Sequence, residues 1–177
     1  MISILLNILL IIILGIIQIS FLTTWLFPVN GLNLILSLVI FVTVILSYQR
    51  GLWWGLGGGI FLELYSNLAF GVVTVSLMLT VILLNLLFNN FFTNRSFYSL
   101  LILGFIGTIS YNFLIVLLNL LTIIIGFDAI SINFNFWTYF FWQPFLNLII
   151  LTIIFFTYHI STGRLRNIFL SHPFYEA

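Results

Sequence analysis

Residues 50–71 read RGLWWGLGGGIFLELYSNLAFG, and this stretch predicts how the rest of the chain packs. It contains Glu63, the one acidic residue inside a long apolar run, and five of the twelve glycines lie shortly before it. Steps of four residues, which place side chains on one helix face, lead through Gly51, Gly55, Gly59, Glu63 and Asn67. Each glycine disfavours a helix in water by about 1 kcal/mol, whereas in a bilayer it lets another helix approach closely. We therefore predict the central packing helix of a membrane protein, with Glu63 directed at protein rather than lipid.

The composition predicts an all-α integral membrane protein. Of the 177 residues, 63% are hydrophobic and 4% are charged, and the mean hydropathy is +1.34. Because a spanning helix needs about 20 mainly apolar residues, the chain has room for six spans and none for a soluble domain. Residues 1–177 are predicted to form a single polytopic domain. Its six spans are expected at about residues 2–22, 32–48, 51–66, 72–92, 97–125 and 136–160.

Further small residues and a proline are predicted to shape the helix contacts. Gly58 and Gly71 flank the acidic position. A second small, polar face on the fifth span contains Gly104 and Gly107, which suits close packing. Pro144 is expected in the first turns of the last span, where its missing N–H costs least.

The basic residues predict the orientation in the membrane. All four are arginines, and each follows an even-numbered span: Arg50, Arg95, Arg164 and Arg166. Because cytoplasmic loops carry an excess of basic residues, both termini are expected in the cytoplasm. The loops near residues 28, 69 and 128 are then expected outside.

Glu63 is the strongest candidate for a functional residue, because a carboxylate at membrane depth costs several kcal/mol unless it is neutralised or paired. No arginine is expected in the outer half of the bilayer. Its partners are therefore polar side chains or the N-terminal end of a neighbouring helix. Three roles stay open: a structural anchor, a contact with a partner protein, and the handling of a proton or ligand.

Other chemistry is poorly supported by the sequence, and we predict no enzyme, cofactor or metal site. Asp128 falls in a loop and gives Glu63 no second intramembrane acid. His159 and His172 lack the spacing of a metal site. The glycine run has no following G-K-[ST], so it is not a phosphate loop. Four scattered arginines make no nucleic-acid surface.

Two motifs give the chain a resemblance to the rod shape-determining protein MreD family of bacteria, over nearly its whole length. Residues 55–71, GLGGGIFLELYSNLAFG, look like that family's glycine-rich helix, followed by an acid, a polar turn and a glycine that opens the next helix. The family usually has aspartate where this chain has Glu63. Residues 140–149, FFWQPFLNLI, with the later Arg164 and Arg166, are similar to its last span and basic tail.

The resemblance implies a non-enzymatic component of the cell-wall elongation machinery in the bacterial inner membrane. Its expected partner is a single-span MreC-like protein, with links to the MreB filament and the peptidoglycan synthases. The family fold also resembles the substrate-binding subunits of energy-coupling-factor vitamin transporters, so the alternative is a small-molecule uptake subunit. Its pocket would be lined by Glu63, Asn67 and the 126–135 loop.

Residues 167–177 are expected to lie on membrane lipid or to dock a cytoplasmic partner.

Overall fold

The structure is a computed structural model that describes residues 2–22, 24–92, 94–125 and 134–162. All regular secondary structure in these residues is helical. Two π-helical segments, Gln18–Leu22 and Val42–Leu46, directly extend α1 and α2, and a short 3-10 turn covers Val29–Gly31. The six α-helices are α1 (Ile2–Ile17), α2 (Leu34–Phe41), α3 (Tyr48–Glu63), α4 (Val72–Phe91), α5 (Phe97–Ile125) and α6 (Phe134–Ser161).

Three of these helices are long and apolar enough to cross a membrane. They are Val72–Phe91, Phe97–Ile125 and, within α6, Trp137–Ser161. The first two helices supply shorter apolar segments, Leu9–Ser20 and Leu34–Leu46. The predicted all-α class is therefore confirmed for the described residues, and the number of spans stays a prediction.

The core forms around α2, and not around α3 as the glycine pattern suggested. α2 packs against all five of the other helices, and Leu36, Val39 and Ile40 are completely buried. The glycines of α3 make only one side of that helix suitable for close approach. Its other side is open, with Trp53 74% exposed. α3 is consequently a flanking helix that packs chiefly against α4.

Polar caps set the helix boundaries that differ from the predicted spans. α2 begins after Asn33, whose side chain accepts a hydrogen bond from the Leu36 N–H at 2.9 Å. α3 begins after the extended residue Ser47, whose hydroxyl accepts from the Arg50 N–H at 3.4 Å. Arg50 therefore follows the second helix, as predicted, but it lies in the first turn of α3 and not in a connecting loop. Side chains of this type accept hydrogen bonds from N–H groups that have no partner within the helix.

Pro144 lies inside α6 and is buried, rather than in the first turns of the last span. The helix begins at Phe134, so the proline follows ten residues of helix. It removes the N–H that would donate to the Phe140 carbonyl. Proline is tolerated there because neighbouring helices in a bundle help to satisfy the freed backbone. The predictions for Arg164, Arg166 and residues 126–133 and 167–177 lie outside the described residues.

Candidate functional site

The Glu63 carboxylate binds the beginning of α4. Its side chain is at the last position of α3 and is only 5% exposed. One carboxylate oxygen, Oε1, accepts from the N–H groups of Gly71 at 2.6 Å and Val73 at 3.2 Å. The other oxygen accepts from the Thr74 N–H at 3.1 Å and also from the Thr74 hydroxyl. A single side chain therefore satisfies three backbone donors and one hydroxyl.

This arrangement explains how the bundle accommodates a buried carboxylate. The first N–H groups of a helix have no partner within that helix, and the helix dipole places partial positive charge at the same end. Both effects favour an anion at the start of α4. The sequence predicted that Glu63 binds polar side chains or the N-terminal end of a neighbouring helix. In the structure it binds both the N-terminal end of α4 and the Thr74 side chain. With these donors engaged, the geometry is that of a structural anchor.

Gly71 is needed for its backbone conformation and not for close packing. Its φ is +100°, in the left-handed region that favours glycine, and no atom lies within 4 Å of the position its Cβ would occupy. The expectation that Gly71 packs against a helix is therefore corrected. Because other residues pay a steric cost in this region, glycine lets the chain turn so that its N–H reaches Glu63.

Gly59 allows α4 to approach Glu63. A Cβ on Gly59 would lie 2.8 Å from the Thr74 Cα, far inside normal contact, and a backbone atom cannot move away by changing rotamer. Gly59 is one turn before Glu63 on the same face. The two residues therefore act on the same point of α4: Gly59 makes room for Thr74, and Glu63 binds it.

The other glycines of α3 also face neighbouring helices. A Cβ on Gly51 would overlap the Thr43 side chain, and one on Gly58 would lie 2.5 Å from Ile35 Cγ2. Gly55 is less confined, since its Cβ would lie 3.3 Å from Val81 Cγ2.

The same close approach recurs on α5, where the sequence has its second small face. A Cβ on Gly104 would overlap the Leu151 side chain of α6. One on Gly107 would lie 3.1 Å from Leu84 of α4 and 3.3 Å from Ile40 of α2. These glycines bring α5 close to three helices.

Asn67 does not extend the stripe that the four-residue spacing predicted. The regular helix ends at Glu63, and Asn67 is exposed in the turn that follows. The chain must reverse direction between Glu63 and Gly71 to place α4 against the carboxylate, so a continuous helical face through Asn67 cannot form. Glu63 and Asn67 are therefore not brought together.

Arg95 caps the opposite end of the bundle. Its Nη1 donates to the Ile45 carbonyl at 2.9 Å and to the Leu46 carbonyl, at the end of the π-helical extension of α2. Its guanidinium also lies 5.9 Å from the centre of the Phe88 ring. A cation is favoured at a helix C-terminus for the same reason that an anion is favoured at an N-terminus. Sequence reasoning assigned Arg95 to topology alone and missed this contact.

A second polar site, which we call the amide cluster, consists of Gln18, Asn33 and Asn147. The Asn33 N–H donates to Asn147 Oδ1 at 3.1 Å, and Gln18 Nε2 donates to Asn33 Oδ1 at 3.3 Å. Gln18 Oε1 accepts from the Ile35 N–H at 3.0 Å. All three side chains are buried, so they tie together the ends of the first two helices and the middle of α6. The signal in the sequence is an amide inside an apolar run.

A lateral groove lies between α1 and α3 over part of their length. It encloses about 480 Å³. One wall carries Asn7 and Ile11 of α1, and the other carries Trp53 and Gly57 of α3, with Arg50 at one end. Gly57 contributes bare backbone, and its Cβ would meet only the tip of Ile11 at 3.2 Å.

Together, the site residues provide helix caps, close packing and a lateral groove, and Glu63 is the only acidic side chain among the described residues. The chain matches no family model, no curated protein and no solved structure.

Proposed function

We propose that this chain is a non-enzymatic, multi-pass scaffold of the bacterial inner membrane that joins components of the cell-shape and wall-elongation machinery. The observation that carries the proposal is the lateral groove between α1 and α3. Its lining is mainly apolar, and Gly57 offers bare backbone to an approaching helix, as contacts between membrane helices require. The engagement of Glu63 within the fold supports a structural role for the buried acid.

The proposed occupant of the groove is the membrane helix of a single-span MreC-like protein. Asn7 lies on the groove wall and can exchange a hydrogen bond with a polar group of a partner helix, which adds about 0.6 kcal/mol in a membrane. Arg50 at the end of the groove suits an acidic residue or lipid phosphate at the membrane surface. Links to the MreB filament and to peptidoglycan synthases would then run through this partner.

The proposed orientation has six spans and both termini in the cytoplasm. Arg50 and Arg95 lie at the same end of the bundle, since Arg95 binds the Leu46 carbonyl and α3 begins two residues later. The positive-inside rule places that end in the cytoplasm. Alkaline phosphatase fused after Gly31 should then be active, and the same enzyme fused after Arg95 should be inactive. Activity of the Arg95 fusion with an inactive Gly31 fusion would mean the reverse orientation.

Replacing Gly57 with leucine should abolish binding of the single-span partner, because the new side chain would fill the groove. Its neighbour is the flexible end of Ile11, so the fold should survive. The measurement is co-purification of a single-span periplasmic protein from gently solubilised host membranes, together with cell shape when the variant replaces the parent. We expect loss of the partner and of rod shape.

A matched control is Leu86→Trp, at a position on α4 that is 57% exposed and outside the groove. This variant should retain the partner. If the partner co-purifies with Gly57→Leu as well as with the parent, the groove is not its binding site. Normal wall elongation after depletion of the parent chain would contradict the scaffold function itself.

The alternative function is a small-molecule uptake subunit. It is favoured by a polar cavity next to the amide cluster and not by the predicted pocket around Glu63 and Asn67. Glu63 is engaged by α4 and Asn67 is exposed, so these two residues do not form the wall of a pocket. A polar cavity does border the amide cluster. Tight, saturable binding of a vitamin-like molecule, with normal cell shape after depletion, would favour uptake over the scaffold.

A further inference from the structure

A cavity of about 260 Å³ lies next to the amide cluster, between the π-helical extension of α1, the 3-10 turn, α5 and α6. It is distinct from the lateral groove and shares no residue with it. The polar groups of its lining belong to Gln18, Asn30, Asn33, Tyr111, Asn112, Tyr139 and Gln143. Each of these is an amide or a phenol, and none of the described residues that line the cavity carries a charge.

Two polar atoms of this lining are buried without a hydrogen-bond partner: Asn112 Nδ2 and Asn30 Oδ1. Asn112 is 5% exposed. The Asn30 amide is held by its other end, since its Nδ2 donates to the Tyr139 hydroxyl at 2.9 Å. An unsatisfied buried donor or acceptor costs about 1–3 kcal/mol. Both atoms belong to residues that line the cavity, but they have almost no accessible surface, so they lie just behind its wall.

Two further lining residues are already held in place by the fold. Gln18 and Asn33 are hydrogen-bonded within the amide cluster, and Asn33 Oδ1 also accepts from the Leu36 N–H. Asn147 holds the cluster to α5 through the Thr108 hydroxyl, at 3.4 Å. A wall that is ordered before binding reduces the entropy lost when a ligand enters.

The volume and the charge of the cavity limit the ligand. A water molecule occupies about 30 Å³ in the liquid, so the cavity is several times larger than one water site. It is slightly smaller than typical ligand pockets, which begin near about 300 Å³. An ion would find no opposite charge among the described residues of the lining. A small neutral molecule is the better match.

We propose that this cavity binds a small, uncharged solute of the polyol or amide class. When the solute binds, the two amides turn toward it, so that Asn112 Nδ2 donates to a solute oxygen and Asn30 Oδ1 accepts from one of its O–H or N–H groups. The proposal rests on the cavity and its two free atoms, and it holds whether or not the chain is a cell-shape scaffold.

The test uses the full chain in lipid nanodiscs, with glycerol, erythritol, ribitol and acetamide as probes. Binding is measured by saturation-transfer NMR of each probe, and lactate serves as a charged probe of similar size. We expect saturable transfer to at least one uncharged probe and none to lactate. Asn112→Leu should weaken that binding about tenfold or more, because it removes the free donor.

Two further variants keep the test decisive. Asn89→Leu, at an exposed position of α4 outside the cavity, should bind like the parent. Gln143→Leu alters a half-buried lining residue and should also weaken binding, which covers the case in which Asn112→Leu does not fold. No transfer to any uncharged probe, or equal transfer in the parent and both cavity variants, would overturn the proposal and leave a water-filled cavity.

Discussion

Replacing Glu63 with leucine is expected to lower the free energy of unfolding by at least about 3 kcal/mol. The substitution strands three backbone N–H groups at the start of α4 together with the Thr74 hydroxyl, and each buried donor without a partner costs about 1–3 kcal/mol. The loss should appear as a lower apparent Tm and lower yield of monodisperse protein in detergent.

Two comparison variants test whether stability depends on the hydrogen bonds between Glu63 and α4 or only on a polar side chain at position 63. Glu63→Gln keeps an acceptor oxygen of the same reach and should lose less stability than Glu63→Leu. Asn67→Leu changes an exposed residue in the adjoining turn and should leave the Tm nearly unchanged. Equal stability of the parent and Glu63→Leu would show that the contacts with α4 contribute nothing. A Glu63→Gln variant that is stable but inactive would reopen a role for the proton or charge.

Gly59→Ala is expected to destabilise the fold by about 1–3 kcal/mol, the usual cost of overpacking a tight contact. The new methyl group would meet the Thr74 Cα, so α4 must move as a unit and its first turn is drawn away from Glu63. The matched control is Gly57→Ala, two residues earlier on the same helix, where only the flexible tip of Ile11 has to yield. We expect its Tm to equal or exceed that of the parent.

The coupling between the two residues can be measured directly. Because Gly59 and Glu63 both act through Thr74, the effects of Gly59→Ala and Glu63→Gln should not add in the double variant. The combined loss in unfolding free energy should be smaller than the sum of the single losses. Strict additivity, or a Gly59→Ala variant as stable as the parent, would mean that α4 does not depend on this approach.

The sequence was sufficient to predict helical structure and the need to compensate Glu63. Long apolar runs specify helices in a bilayer, since every backbone group must be satisfied internally. The same physics limited the possible partners of Glu63 to a short set that included a helix end. Which of these partners Glu63 binds depends on the path of the turn that follows it, and residue spacing does not predict that path.

Other features depended on contacts between residues far apart in the chain. Asn33 and Asn147 are separated by 114 positions, and nothing in either local pattern predicts their hydrogen bond. The central place of α2 was hidden for a related reason. Its apolar sequence resembles that of a helix facing lipid, because membrane helices are apolar on both their buried and their exposed sides.

The contact between Glu63 and α4 also has a consequence for biosynthesis. A ribosome that has just completed α3 has made a short, glycine-rich helix ending in a carboxylate, and the donors of that carboxylate do not yet exist. They arrive with Gly71, Val73 and Thr74, eight to eleven residues later. Without these donors the acid has to remain hydrated or protonated, which disfavours release of α3 alone into lipid. In the proposed six-span arrangement, the unit that can leave the translocon with its polar groups satisfied is therefore the pair of helices α3 and α4.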